Sequence, residues 1–220
     1  MPILITETAI LPDQSMEITS SDPKFRVLID YVLNNKDHNE IGIIGLNPHD
    51  NSPLNIGVTA QITLSSVKDR ILLGTSLHIT GKRRFEIEDE PHMDDSGSFY
   101  MAAVEIVDNR EEIMSSEQIH EAEKLSLKLP ALVKKWKDLV YSGGMKHQVK
   151  HVMQSIGPMP SNIEKRALWV GSLVNPLPEL KLCLEIRPAM LACKNNYQRI
   201  YLAVLSLQSS IDYLSSSRNV

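Results

Sequence analysis

Cysteine is almost absent from this sequence: 220 residues contain two, Cys183 and Cys193. They share one helical-looking stretch without CxxC spacing, which excludes a disulfide framework or a cysteine zinc site and reads both as buried thiols. Aromatic residues are sparse at 5%, and basic charge is not in excess, with a formal net charge of -4 and pI near 6.0. A dedicated nucleic-acid binder shows a basic stripe and a high pI, so protein or small-molecule partners are expected instead. Long apolar runs are missing too. Stretches such as residues 167–174 fall far short of the ~20 residues that span a bilayer. The opening MPILITETAILPDQ lacks a basic n-region and carries Glu7 and Asp13, which argues against signal and transit peptides. A cytoplasmic location is the default expectation.

Chemistry-bearing motifs are equally scarce. No G-x-x-x-x-G-K-[ST] loop occurs, and the glycines of Ile41-Gly42-Ile43-Ile44-Gly45-Leu46 lead into no helix, so they read as a buried strand with a close backbone approach. His147 and His151 stand four apart on one helical face, without the glutamate of an HExxH site or a nearby cysteine. The acidic set Glu86, Glu88, Asp89, Glu90, Asp94 and Asp95 lacks the order of a calcium loop and reads as a solvated hairpin. Serine pairs sit at turns and at the tail, where local hydrogen bonding places them. A nucleophile needs an activating base beside it. No catalytic residue, cofactor or metal ligand is nominated, and the chain is read as a non-enzyme.

What is present is a change of period near the middle. Ile3 to Leu11 is β-rich up to a Pro12-Asp13 turn, Met16 to Ile18 forms a second short strand, and Asp22-Pro23 caps a helix over 23–35 with Phe25, Leu28, Ile29, Val32 and Leu33 on its apolar face. Residues 57–87 alternate apolar and polar, punctuated by Gly57, Gly74 and Gly81, which predicts strands near 57–66, 70–79 and 82–87. Gly81 is expected to make a turn, Phe85 to fill the core, and the charges of Lys82-Arg83-Arg84 to answer the acidic residues that follow. Residues 99–107 return as a closing strand.

From Ser115 the spacing becomes helical. Pro130 predicts a kink or two consecutive helices, Gly143-Gly144 a stop, and residues 146–155 a short helix. Ser161 with Glu164 forms a capping box. Asn175 to Pro178 is a stiff connector, the segment 179–193 is core-like, and Asn195 or Asn196 caps a final helix carrying Ile200, Ala203, Val204, Leu207, Ile211 and Leu214. The expected organisation is a β domain over 1–110 and a helical domain over 111–220.

The order of these features resembles a known family. Ala9-Ile10-Leu11-Pro12, Phe25-Arg26-Val27-Leu28-Ile29, Ile41-Gly42-Ile43-Ile44, Gly57-Val58-Thr59-Ala60-Gln61-Ile62, the Lys68-Asp69-Arg70 turn with Ile71-Leu72-Leu73, Gly81-Lys82-Arg83-Arg84-Phe85-Glu86-Ile87 and Tyr100-Met101-Ala102-Ala103-Val104-Glu105 follow one another as in the LON N-terminal, or substrate-binding, domain. That domain occurs in ATP-dependent Lon proteases and in stand-alone LON-domain proteins. The run 167–214 resembles its helical part more loosely. Asp13 stands where the family often has glycine after the proline.

The resemblance implies an α+β fold, a PUA-like β pseudobarrel followed by an all-α bundle. It also implies a non-catalytic module that holds a protein client or a partner such as a separate protease in the cleft between barrel and helices. Met93, Phe99, Met159, Leu177 and Arg187 are the candidate partner-binding residues. Arg187 has a structural reading as well, a fixed ion pair with Glu185 at a helix junction. RNA contact through Lys82-Arg83-Arg84 is the alternative function, since PUA-like barrels elsewhere bind RNA; the acidic pI weighs against it.

Overall fold

A computed structural model describes residues 1–35, 39–70, 74–107, 112–144, 146–174 and 185–216. The chain divides into two units, Met1–Asn109 and Arg110–Val220. The first is built on strands and the second on helices, so the fold is α+β.

The first unit runs β1 (Pro2–Thr6), β2 (Ser15–Ser20), α1 (Pro23–Asn34), β3 (Glu40–Leu46), β4 (Pro53–Gln61), a 3-10 turn at Leu64–Ser66, β5 (Val67–Arg70), β6 (Gly74–Ile87), β7 (His92–Met93), β8 (Tyr100–Met101) and β9 (Val104–Ile106). The long strand β6 joins the sheet together. Its first half pairs antiparallel with β2 and β5, and its second half with β4 and β9. From β4 the sheet continues through β3, then β1 in parallel, then β8 and β7.

Alternation along β6 turns Phe85 inward, where it is fully buried with Ile3, Ile44 and Ala102. Directly opposite lies Gly57, and a Cβ there would come 2.8 Å from the Phe85 ring; one on Gly42 would come 2.9 Å from it. Gly57 is therefore not a strand end. It sits inside β4 and leaves room for the aromatic ring.

Gly81 also corrects its expected role. Instead of turning the chain it continues β6, donating its N–H to Gln14 O at 2.9 Å and accepting from Asp13 N at 2.9 Å. A Cβ at Gly81 would stand 2.5 Å from Leu11 O. The 11–14 turn rests directly on the strand, and only glycine lets it approach so closely. Asp13 takes a φ of +63°, a left-handed conformation that Asp tolerates better than most residues. That explains how the chain dispenses with glycine there.

Two other expectations are revised. Lys68-Asp69-Arg70 is not a turn but part of β5, hydrogen-bonded along β6. The single closing strand over 99–107 is two strands, because the chain changes partner at Ala102-Ala103: Ala102 exchanges hydrogen bonds with Met1, while Ala103 O accepts from Glu88 N. α1 begins as expected, with the Asp22 carboxylate accepting from Lys24 N at 2.9 Å and Pro23 in the first turn.

The second unit comprises α2 (Ser116–Ser126), α3 (Leu129–Ser142), α4 (Lys146–Ile156), α5 (Ile163–Leu173), α6 (Arg187–Ala192) and α7 (Asn196–Ser216). Pro130 lies in the first turn of α3, where its missing N–H costs nothing, so the long helical segment is two helices. α7 is the axis, packing against α2, α3 and α5 with Ile200, Ala203, Leu207 and Ile211 buried. The indole N–H of Trp136 donates to Ser210 Oγ at 2.9 Å, satisfying the polar atom of a buried ring. Asn195 caps α7 through Gln198 N. The cap of α5 is Asn162 rather than Ser161, since Asn162 Oδ1 accepts from the N–H groups of Glu164 and Lys165. Cys193 is partly exposed, not buried, and its thiol donates to Ala189 O. Cys183, the 175–178 connector and Leu180, Leu182 and Leu184 lie outside the described residues.

Candidate functional site

The loop between β7 and β8 is organised by one carboxylate. Asp94 accepts from Ser96 Oγ at 2.5 Å and from the backbone N–H groups of Ser96, Ser98 and Phe99 at 2.7–3.0 Å. The Ser96 hydroxyl, with these amides, holds the carboxyl well below the usual carboxylate range, because each bond favours the charged form. The acidic cluster of the sequence thus contains one structural carboxylate that shapes a hairpin tip.

That tip faces α1. Lys24 Nζ donates to Gly97 O at 3.1 Å, and the rings of Tyr31 and Phe99 stand 4.9 Å apart. Between β1, β2, α1 and the tip lies a groove of about 360 Å³ whose apolar lining includes Leu4, Ile5, Ile18, Phe25, Phe99 and Tyr100. Phe99 is nearly buried in its wall, whereas Tyr100 and its cross-strand neighbour Met93 are about two-fifths exposed, at 41% and 42%. Two of the candidates, Met93 and Phe99, therefore belong to one hairpin. The sequence reading missed Tyr100, Leu4 and Ile18, which line the groove, and Tyr31, which packs on Phe99. A usable signal existed in α1, where Val27 and Tyr31 stand one turn apart, off the buried stripe and exposed.

The remaining candidates belong to the second unit. Met159 is half-buried in the break before α5, where Gly157 O accepts from the Trp169 indole. Arg187 is nearly inaccessible: its side chain and that of Glu185 are 7% and 9% exposed, and Nε donates to Glu185 Oε1 at 2.7 Å while Nη2 contacts Oε2. This is the fixed ion pair of the structural reading, at the start of α6. Leu177 lies outside the described residues.

The basic triplet is dispersed. Arg84 is buried, at 3% exposed, and Arg83 reaches across β4 to pair with Glu40 on β3 at 3.0 Å, rather than with the acidic residues that follow. Lys82 lines a polar hollow with Lys68, His78, Glu17 and several hydroxyls on the β2-β6-β5 face. Among the described residues no group of three His, Cys, Asp or Glu side chains is placed to hold a metal, and no helix is long and apolar enough to cross a membrane.

Among the described residues, a nine-stranded sheet joined by one long strand carries an apolar groove, and the helices of the second unit gather around one long helix. The chain belongs to the ATP-dependent protease La (LON) substrate-binding domain family, whose model matches residues 1–211. Among solved structures it is similar to the N-terminal domain of Mycobacterium avium complex Lon protease, at 18% identity and a TM-score of 0.57, covering 97% of each chain. It is also similar to a Lon N-terminal domain protein from Xanthomonas campestris, at 12% identity and a TM-score of 0.56, covering 91% of this chain and 94% of that one. At these identities the structural likeness speaks for the fold. A comparison with curated protein sequences returned no match.

Proposed function

We propose that this chain is a non-catalytic recognition module that holds extended, apolar segments of protein clients, and that the groove of the first unit is where it does so. Family membership supports recognition of protein substrates. The observation that carries the choice of site is the groove itself: an apolar lining between α1 and the β7-β8 tip, flanked by exposed Tyr100 and Met93. Exposed apolar residues gathered beside a concave surface mark interaction sites more often than scattered ones do. A separate protease is a fitting partner for such a module. Titration of a fluorescently labelled, reduced and carboxymethylated protein tests the reading. Tyr100→Ser should weaken binding about tenfold, the loss of one well-placed aromatic contact, while Tyr213→Ser, an exposed aromatic on α7, leaves it unchanged. Absence of binding to the wild type, or equal loss in both variants, defeats the proposal.

RNA contact through residues 82–84 is the second reading. It now rests on Lys82 with Lys68, since Arg84 is buried and Arg83 is paired. Filter binding across a salt series tests it, because phosphate contacts must give an affinity that falls with salt.

A further inference from the structure

The apolar groove has a polar feature that its lining residues do not reveal. β1 is paired on one side with β3 along Ile3 to Thr6, but on the other side with β8 only at Pro2 and Ile3. The Met1 amine donates to Ala102 O at 2.7 Å and Ala102 N–H returns a bond to Met1 O at 3.0 Å. In an antiparallel ladder such reciprocal pairs recur at every second residue. Met1 and Ala102 form one, and Ile3 and Tyr100 occupy the next. The third would be Ile5 with Ser98, and there the pairing stops.

The reason lies in Asp94. Its carboxylate takes the N–H groups of Ser98 and Phe99, so the Ser98 N–H that a continued ladder would offer to Ile5 is spent within the tip. The same alternation aims the backbone N–H and C=O of Ile5 into the groove, which Ile5, Ser98 and Phe99 all line. We infer that an extended client segment binds in this groove by strand addition, exchanging backbone hydrogen bonds with Ile5 where β8 would otherwise continue. This rests on the reading of the groove as the client site and names how the client is held.

Charge favours the same occupant. The two charged groups at the rim are of opposite sign and each is engaged: the Asp22 carboxylate with Lys24 N–H, and the Lys24 ammonium with Gly97 O. Nothing there calls for a charged ligand. The lining offers apolar walls on both sides of a hydrogen-bonding edge, the arrangement in which main-chain bonds supply affinity and alternate side chains supply selection. Ordinary strand edges are blunted by charge or proline, whereas this one is flanked by Leu4 and Ile18.

The probe is a fluorescein-labelled octapeptide alternating leucine or valine with serine, compared with two versions N-methylated at alternate amides, one for each register. N-methylation removes the donor and blocks the edge without reducing apolar area. The unmethylated peptide should bind the full chain. One methylated register should bind about tenfold or more weakly, the effect of losing one or two backbone hydrogen bonds, and the other should bind nearly as well. Ile5→Pro should reproduce the loss because its missing N–H faces the groove and not β3, whereas Ile5→Val should not. If both methylated peptides bind like the parent, strand addition is overturned while recognition by apolar side chains survives. If the parent peptide does not bind at all, the client-site reading fails as well. The methylated peptides use the unmodified protein, so the result does not depend on whether Ile5→Pro folds.

Discussion

The two units solve the same problem with opposite economies of sequence. In the helical unit each element is specified locally: α2 by the reciprocal bonds of Ser115 and Gln118, α3 by a proline in its first turn, α7 by Asn195, and all of them by apolar residues three and four apart. In the sheet unit the decisive contacts join residues far apart in sequence, such as Gly81 with Leu11 to Gln14, Phe85 with Gly57 and Gly42, and Met1 with Ala102. Local signals can be read along a sequence; distant ones exert their effect only after the chain has folded. The binding surface proposed here lies on the long-range side of that divide.

The difference is sharpest for the two largest fully buried rings, Phe85 in the first unit and Trp136 in the second. Phe85→Ala and Trp136→Ala should each cost about 3–5 kcal/mol, the usual range for deleting a buried aromatic. Trp136→Ala also leaves Ser210 Oγ without its indole donor. Chemical denaturation followed by hydrogen exchange should show early exposure of first-unit amides in the former and of second-unit amides in the latter. A uniform loss in both variants would deny that the cores are distinct.

Glycines give the next contrast. Gly81→Ala sets a Cβ against the Leu11 carbonyl and should destabilise by about 1–3 kcal/mol, as overpacking does. Gly143→Ala, at the end of α3 with an ordinary φ of −81°, should stay within about 0.5 kcal/mol. Urea midpoints of the two variants distinguish them directly.

The sequence revealed glycine positions but not their meaning. Gly57 and Gly81 looked like punctuation because glycine most often serves turns, yet each makes space for a partner supplied by another part of the chain. The α+β arrangement, the capped α1, the two helices around Pro130 and the inward Phe85 were legible, each carried by spacing or by a neighbouring residue. The groove was only half legible. Phe99 and Met93 could be singled out as apolar residues beside a polar loop, but Leu4, Ile18 and Tyr100 join them through pairings no local pattern encodes. Arg187 carried two readings, a groove-facing charge and an ion pair with Glu185; the side chain sits buried in that pair, which makes its burial tolerable.

Smaller effects refine the comparison. Asn162→Ala should cost about 1 kcal/mol through loss of the α5 cap, whereas Ser161→Ala should stay within about 0.5 kcal/mol. Thermal melts of the pair test this assignment. The last effect is one of pH. Asp94 has a folded pKa below its unfolded value of about 3.9, so its contribution is present above that value and lost as pH falls through the folded pKa. Acidification below about pH 4 should therefore increase exchange at the Ser98 and Phe99 amides before the sheet opens, and Asp94→Ala should give the same local change at neutral pH. Amide-resolved NMR across the titration reads both.

The most direct measurement is hydrogen exchange of the whole chain with and without a saturating unfolded client. The account predicts new protection at Ile5 and across Ser98 to Tyr100, with the α7 amides unchanged. Protection confined to the helical unit, or none in the groove despite measurable binding, would contradict it.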